Sequence, residues 1–357
     1  MYKRIIIKIG TKVLSTKEGR LDVALMKRLV EEVVAQKKSG TEVVLVTSGA
    51  MGAGRGLITP TMRDETARKQ VLAAVGQVQL MSTYAELFKK HGELCAQVLV
   101  TKEDFRDRTH YLNMRNCFEN LLTSGVIPVA NENDVVATTE LLFTDNDELA
   151  GLIASELNAD AVILLTSAKG FIAGDPSDKK AKVIAEINCA GHDTCEKYIA
   201  PEKTSFGRGG MLTKFTIAKK LALQGITVHI ADGKRRHVLS DILSGKAVGT
   251  KFLPQSGASA IKRRLAYSEG LTKGTVRVNQ GAENLLRSKQ TIISLLPVGI
   301  IGVDGSFEKG DIVAIVGEKK QKLGFGVAQY GAEKARELMG VKNARPLIHY
   351  NYMFISA

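Results

Sequence analysis

Strand-like and helix-like segments alternate through the first two thirds of the chain, and this alternation restricts the fold more than any other feature. Arg4 to Ile9 is a short β-branched run that stops at Gly10, the pattern of a buried strand. Asp22 is placed to cap a helix with apolar positions at Leu25, Met26, Leu29, Val30, Val33 and Val34, and Ser39-Gly40 ends it. Glu42 to Thr47 reads as a second strand, followed by Ser48-Gly49-Ala50 and a glycine-rich turn from Gly52 to Gly56. Strand, helix and strand in that order imply parallel pairing through a crossover. The spacing then predicts helices near 65–90, 109–123 and 147–158, and strands near 94–101, 126–130, 161–166 and 226–231. Repetition of this unit argues for an α/β sandwich with a mainly parallel sheet.

In sheets of this kind ligands gather at the carboxyl ends of the strands. That rule sorts the polar residues. Lys8, Ser48, Asn131 to Asp134, and Thr166-Ser167 all stand where an expected strand ends. Lys8 has isoleucine on both sides. An edge-strand lysine in water is the bland reading of it, but a strand so apolar places it inside the protein.

After Gly249-Thr250 the pattern changes. Residues 256–270 are polar and basic, and short runs with turns follow, at 274–278, 294–297 and 310–315. A helix is expected only around Ala332 to Met339. The boundaries expected are 1–255 for the first domain and 271–352 for a small β-rich second one. Charge follows the same division. The chain carries a net charge of +13 over 357 residues. From Ser256 onward there are 15 Lys and Arg against 8 Asp and Glu, so the smaller part is the more basic per residue. That suits either an anionic partner such as RNA or an ordinary solvated surface.

Cys95, Cys117, Cys189 and Cys195 show no C-x-x-C spacing, so they read as plain thiols of a reducing compartment. The N-terminal apolar run stops at Lys8, too short for a signal-peptide core, and no apolar run is long enough to span a membrane. A cytoplasmic protein with no membrane partner is expected.

The segment from Thr204 to Lys214 is a glycine turn running into an amphipathic helix, with Met211, Phe215, Ala218 and Ala222 on one face. A helix start offers free N–H groups to a phosphate. Gly207, Gly209 and Gly210 permit close approach, and Lys214 adds a full charge about one turn in. The segment also fits a plain cap on a surface helix. Neither the G-x-x-x-x-G-K-[ST] spacing nor G-x-G-x-x-G after a strand occurs. What remains is two lysines, two glycine-rich turns, and a cluster of acids and amides: Asn131, Asn133, Asp134, Asp145, Asn146 and Asp147. Phosphoryl transfer needs such a mix. Asp145-Asn146-Asp147 also suits a helix N-cap.

These pieces, in this order, resemble the glutamate 5-kinase family, which has the amino acid kinase fold and a C-terminal PUA domain. The matching residues are Lys8 to Thr11, Val46 to Ala50, Leu72 to Gln77, Asn131 to Asp134, Asp145 to Asp147, Gly207 to Lys214, Ser294 to Pro297 and Gly310-Asp311. The resemblance covers nearly the whole chain. It implies a three-layer αβα sandwich and transfer of the ATP γ-phosphate to the side-chain carboxylate of L-glutamate, the first step of proline synthesis. It implies that Lys8 and Lys214 stabilise the transition state and that Asp147 holds them. Glutamate would meet Ser48, Asp134 and Asn146, with Asn131, Gly49 and Ala50 close by. ATP would meet Lys8, Thr166, Ser167 and the run Arg208, Gly209, Gly210, Met211, Leu212, Thr213 and Lys214, with Mg²⁺ bridging its phosphates. The family also suggests a homodimer or homotetramer, proline as a feedback inhibitor, and RNA as a partner of the PUA domain.

The chain departs from the family pattern at Arg208, Ser167 and Thr144, where a small residue, Asp and Gly are usual, and its PUA part looks shortened after His349. Two alternatives stay open on the residues alone. One is a kinase of the same fold for another acceptor, such as an N-acetylated amino acid, carbamate or UMP. The other is an RNA-binding protein resting on the basic tail.

Overall fold

The computed structural model describes residues 2–136, 145–172, 182–189, 210–255, 271–288 and 293–355. It divides the chain into two compact units, residues 1–101 with 115–257, and residues 102–114 with 258–357. Thr144, Cys195, Gly207, Arg208 and Gly209, all singled out above, lie outside the described residues.

In chain order the first part comprises β1 (Arg4–Ile9), α1 (Thr11–Leu14), α2 (Val23–Lys38), β2 (Glu42–Val46), α3 (Ala50–Arg55), α4 (Glu65–Lys89) and β3 (Cys95–Val100). Then come α5 (Lys102–Arg106), α6 (Arg108–Thr123), β4 (Ile127–Glu132), α7 (Asn146–Glu156), β5 (Ala161–Thr166) and β6 (Glu186–Asn188), followed by α8 (Met211–Leu223), β7 (Thr227–Asp232), α9 (Val238–Leu243) and β8 (Thr250–Leu253). The eight strands form one sheet in the order β3-β4-β2-β1-β5-β7-β8-β6. Neighbours pair in parallel except β7 with β8. Helices on both faces make this the expected α/β sandwich.

The strands β1, β2 and β5 are buried on both faces, as parallel strands under two helix layers must be. Their period of two assigns each side chain to a layer. Ile5, Ile7 and Ile9 join α2, α9 and the end of α4 in one core cluster. Ile6 and Lys8 therefore turn to the opposite face, where α7 packs over β1 and β5. A lysine at that register has nowhere to go but beneath α7.

From β1 the chain builds β2, β4 and β3 on one side, then crosses to β5 and β7 on the other. The order thus reverses between β1 and β5, and the crevice at their carboxyl ends is where an open α/β sheet receives ligands.

Residues 52–56 correct one expectation. They belong largely to the helix α3, not to a turn. Propensity does not make this helix, since three glycines lie within Gly52–Gly56; close packing on α4 does. A Cβ on Gly76 would stand 1.7 Å from the Ala50 carbonyl oxygen, and one on Gly54 would stand 2.1 Å from that of Leu72. The two backbones touch, and only glycine allows it. Gly49 starts the helix at a φ of 103°.

The second unit contains β9 (Gly274–Val278), α10 (Gln280–Arg287), β10 (Ile300–Gly305), β11 (Ile312–Val316), β12 (Lys322–Val327), α11 (Ala332–Glu337) and β13 (Met353–Ile355). Its five-stranded sheet has the order β10-β9-β11-β12-β13. Val276, Val278, Ile315, Leu323, Leu347 and Ile348 are among its core residues. The residues after His349 complete the sheet as β13 on β12. Within this unit Lys273 pairs with Asp107 at 3.2 Å and Asp311 at 3.4 Å. Among the described residues no helix is long and apolar enough to cross a membrane.

Candidate active site

Three charged side chains meet at the β1/β5 crevice. Lys8 comes from the end of β1, Asp147 from the first turn of α7, and Lys214 from the first turn of α8. Lys8 Nζ lies 2.5 Å from Asp147 Oδ1, and Lys214 Nζ lies 2.7 Å from Asp147 Oδ2. Lys8 is 5% exposed, Lys214 8% and Asp147 0%. Water therefore screens this cluster weakly. Two cations meet on this one carboxylate at the sheet's carboxyl edge. Paired ammonium groups so placed suit an anion.

Each member is placed by a local rule. Gly10 follows Lys8, and its N–H donates to the Leu165 carbonyl at 3.1 Å, which turns the chain sharply after β1. Asp145 caps α7, its Oδ1 accepting from Asp147 N at 2.7 Å and Glu148 N at 3.3 Å. The cap fixes where α7 begins and so where Asp147 points. Gly210 caps α8, and the Lys214 N–H makes a helical bond to its carbonyl.

The two carboxyls are pushed apart in acidity. Burial alone would raise Asp147, but the charges of Lys8 and Lys214 outweigh it and hold the group below the ordinary carboxylate value. Asp145 goes the other way, raised by burial and then by the charge of Asp147, with the lysines pulling back. Divergent carboxyls in one crevice make it a candidate functional site.

A second group adjoins the first through α7, because Asn146 precedes Asp147. Asn146 Nδ2 donates to the Thr47 carbonyl at 2.6 Å, to Asn131 Oδ1 at 2.9 Å and to Ser48 Oγ at 3.0 Å. Thr47 is held by its N–H to the Ala130 carbonyl and by its Oγ1 at 3.0 Å from the Tyr84 hydroxyl. Gly49 and Ala50 follow Ser48 at the start of α3. Asp134 lies beyond β4 and makes no hydrogen bond or ion pair to a described residue. Burial raises its carboxyl above the ordinary value. A half-buried carboxylate with no partner among the described residues is suited to an incoming cation.

Thr166 closes β5, and its carbonyl accepts from Gly233 N at 2.9 Å; Ser167 comes next. Met211, Leu212 and Thr213 form the first turn of α8, with Leu212 exposed. The expected residues thus fall into a lysine–aspartate cluster, an amide–hydroxyl cluster, and the strand and helix ends around them. Residues given no role from sequence also take part, namely Thr47 and Gln77. Gln77 Oε1 accepts from Asn131 Nδ2 at 2.9 Å. Gln77 belongs to the Leu72–Gln77 match, which carried no hint of its neighbour on β4.

The comparisons agree with this fold. The model of the amino acid kinase family matches residues 3–232, and that of the PUA domain matches residues 274–349. The chain is 50% identical over 356 residues to a glutamate 5-kinase from Chlorobaculum tepidum, covering 99% of this chain and 98% of that one. It is 46% identical over 358 residues to a glutamate 5-kinase from Bacteroides thetaiotaomicron, covering 99% of each. Among solved structures it is similar in fold to UMP kinase from Bacillus anthracis, with a TM-score of 0.50, 16% identity, and coverage of 71% of this chain and 97% of that one. Full-length identity of this order, with the buried lysine pair at the switch point of the sheet, settles the kinship: the chain belongs to the amino acid kinase family, among its glutamate 5-kinases.

Proposed function

We propose that this chain transfers the γ-phosphoryl group of ATP to the side-chain carboxylate of L-glutamate, giving L-glutamyl 5-phosphate and ADP, the first step of proline biosynthesis. The observation that carries the reading is the Lys8–Asp147–Lys214 cluster in a chain half identical to a glutamate 5-kinase over its full length.

The glutamate carboxylate oxygen attacks the γ-phosphorus. The O–P bond to the acceptor forms, the bond to the β-phosphate oxygen breaks, and ADP leaves with that electron pair. The acceptor is already ionised near pH 7, so no general base is required. Catalysis then rests on alignment and on fixed charge. Lys8 and Lys214 meet the negative charge on the transferring group and on the leaving phosphate. Asp147 holds both ammonium groups in one orientation, so they need no reorganisation as charge develops.

Ser48, Asn146 and Asp134 bind glutamate, with Asp134 facing its ammonium group. Thr166, Ser167 and the run Arg208 to Lys214 contact ATP. Among the described residues no group of three carboxylate, histidine or cysteine side chains is assembled to hold a metal. The donor set instead fits Mg²⁺ carried on the nucleotide's phosphates, with Asp145 the carboxylate able to hold it, since its Oδ2 is buried without a hydrogen-bond partner. When bound, Mg²⁺ would draw charge from the phosphates. We place the reaction in the cytoplasm, where ATP is made and spent.

The test is ADP release with Mg-ATP and L-glutamate in the presence of hydroxylamine, which traps an acyl phosphate. N-acetylglutamate and UMP serve as control acceptors. Hydroxamate formed with glutamate alone is expected. Turnover with a control acceptor and none with glutamate would overturn the substrate while keeping the lysine roles.

A further inference from the structure

The amide side chains beside the acceptor site form a chain with a fixed direction. Asn146 Nδ2 donates to Asn131 Oδ1, Asn131 Nδ2 donates to Gln77 Oε1, and Gln77 Nε2 donates to Gln97 Oε1 at 3.2 Å. Anchors outside the amides fix that direction. There are two, and both are backbone groups with a single role. The Glu132 N–H can only donate, and it donates to Asn131 Oδ1 at 2.9 Å. The Thr47 carbonyl can only accept, and it accepts from Asn146 Nδ2. The orientations of Asn131 and Asn146 follow from these two facts.

The consequences reach the substrate. Asn146 has two amide hydrogens, shared among the Thr47 carbonyl, Asn131 Oδ1 and Ser48 Oγ. Its Oδ1 receives no bond from a described residue, so Asn146 offers an acceptor. The Ser48 hydroxyl hydrogen is not needed by Asn146 and is free to donate. Asn131 Oδ1 accepts from Asn146 and Glu132, and one of its two Nδ2 hydrogens goes to Gln77.

We propose that Gln77 is a positioning residue for the acceptor. The backbone anchors set which way the amides face; by accepting from Asn131 Nδ2, Gln77 holds that side chain in place against Asn146, which presents an oxygen, suited to an ammonium group, while Ser48 presents a hydrogen, suited to a carboxylate. This rests on the reading of the site as a glutamate kinase. The residue acts from α4, outside the crevice, and selects a free amino acid through the Asn131–Asn146 pair.

The test compares Gln77→Leu, which removes the acceptor, with Gln77→Glu, which keeps one. Gln77→Leu should raise the glutamate KM about tenfold, the effect of leaving one partly buried amide donor unpaired, with the ATP KM and kcat within about twofold of the unmodified protein. Gln77→Glu should stay within about threefold of it in all three. Gln97→Leu should change none of them, because Gln77 Oε1 still meets Asn131. Gln77→Met stands in if the leucine variant does not fold. An unchanged glutamate KM in Gln77→Leu, an equal loss for both substrates, or a Gln77→Glu variant as impaired as Gln77→Leu would overturn the assignment. Absence of glutamate turnover in the unmodified protein would instead overturn the functional reading, so the two failures are distinct.

Discussion

Lys8 and Lys214 are 206 positions apart in the chain and close on the two oxygens of one fully buried carboxylate, that of Asp147. Neither lysine can be understood alone. Each pairs with Asp147 inside the protein, and the carboxylate holds both ammonium groups at one point. That positive pair is what an incoming phosphate meets.

Replacing either lysine removes half of the charge aimed at the transferring group. Lys8→Ala and Lys214→Ala should each lower kcat by roughly 10²–10³-fold, the usual loss for one preorganised charge or donor. The other lysine still neutralises Asp147, so circular dichroism should show a folded protein. Steady-state ADP release is the measurement, and near-normal turnover in either variant would remove that lysine from the chemistry.

Asp147→Asn removes the carboxylate on which two buried lysines meet. A loss of about 3–5 kcal/mol in urea unfolding is expected, typical of breaking a buried charge group, together with loss of turnover. The pH dependence has a defined sign. The carboxyl is depressed in the folded state, so its contribution is full above the unfolded value near pH 4 and is lost as the pH falls through the lower folded value. The unmodified protein should lose stability on acidification below about pH 4 more steeply than Asp147→Asn.

His229 supplies a second acid-sensitive step. It lies on β7, 6% exposed, with its Nε2 3.0 Å from the Tyr2 hydroxyl and with Lys251 opposite on β8. Burial, and then the Lys251 charge, lower it to about 4. The unfolded chain binds the proton near pH 6.5, and the folded one does so only near 4, so stability should fall as the pH drops through that window. His229→Gln keeps a partner for Tyr2 and should flatten the pH 4–6.5 limb of the stability curve. An unchanged limb would show that other groups produce it.

Asp134→Ala should act on glutamate and not on ATP. The carboxylate has no described partner and is raised by burial, a state that an ammonium group relieves. A rise of about 10–100-fold in glutamate KM is expected, the usual effect of losing a charged hydrogen-bond partner, with ATP KM unchanged. A glutamate KM within twofold of the unmodified protein would assign the ammonium to another group.

The sequence by itself determined the alternation of strands and helices, because burial of one face imposes a period that side chains must obey. It also determined which polar residues stand at strand ends, and the caps at Asp22 and Asp145, because a cap is set by neighbours a few positions away. It placed Lys8 in a strand too apolar for water. What only the tertiary structure decided are pairings over long separations. Sheet order put β1 beside β5 and so brought Asp147 and Lys214 to Lys8. Helix α3 reads as a glycine turn, since its stability comes from backbone contact of Gly54 and Gly76 across two helices and not from its own residues. Residues 102–114 join the second unit, although nothing in their pattern differs from the segments around them. Gln77 looks like any polar residue on a long helix until α4 is laid against β4 and its oxygen meets Asn131. Periodicity states which face of a segment is buried; the partner that covers it is chosen by packing among segments that are distant in the chain.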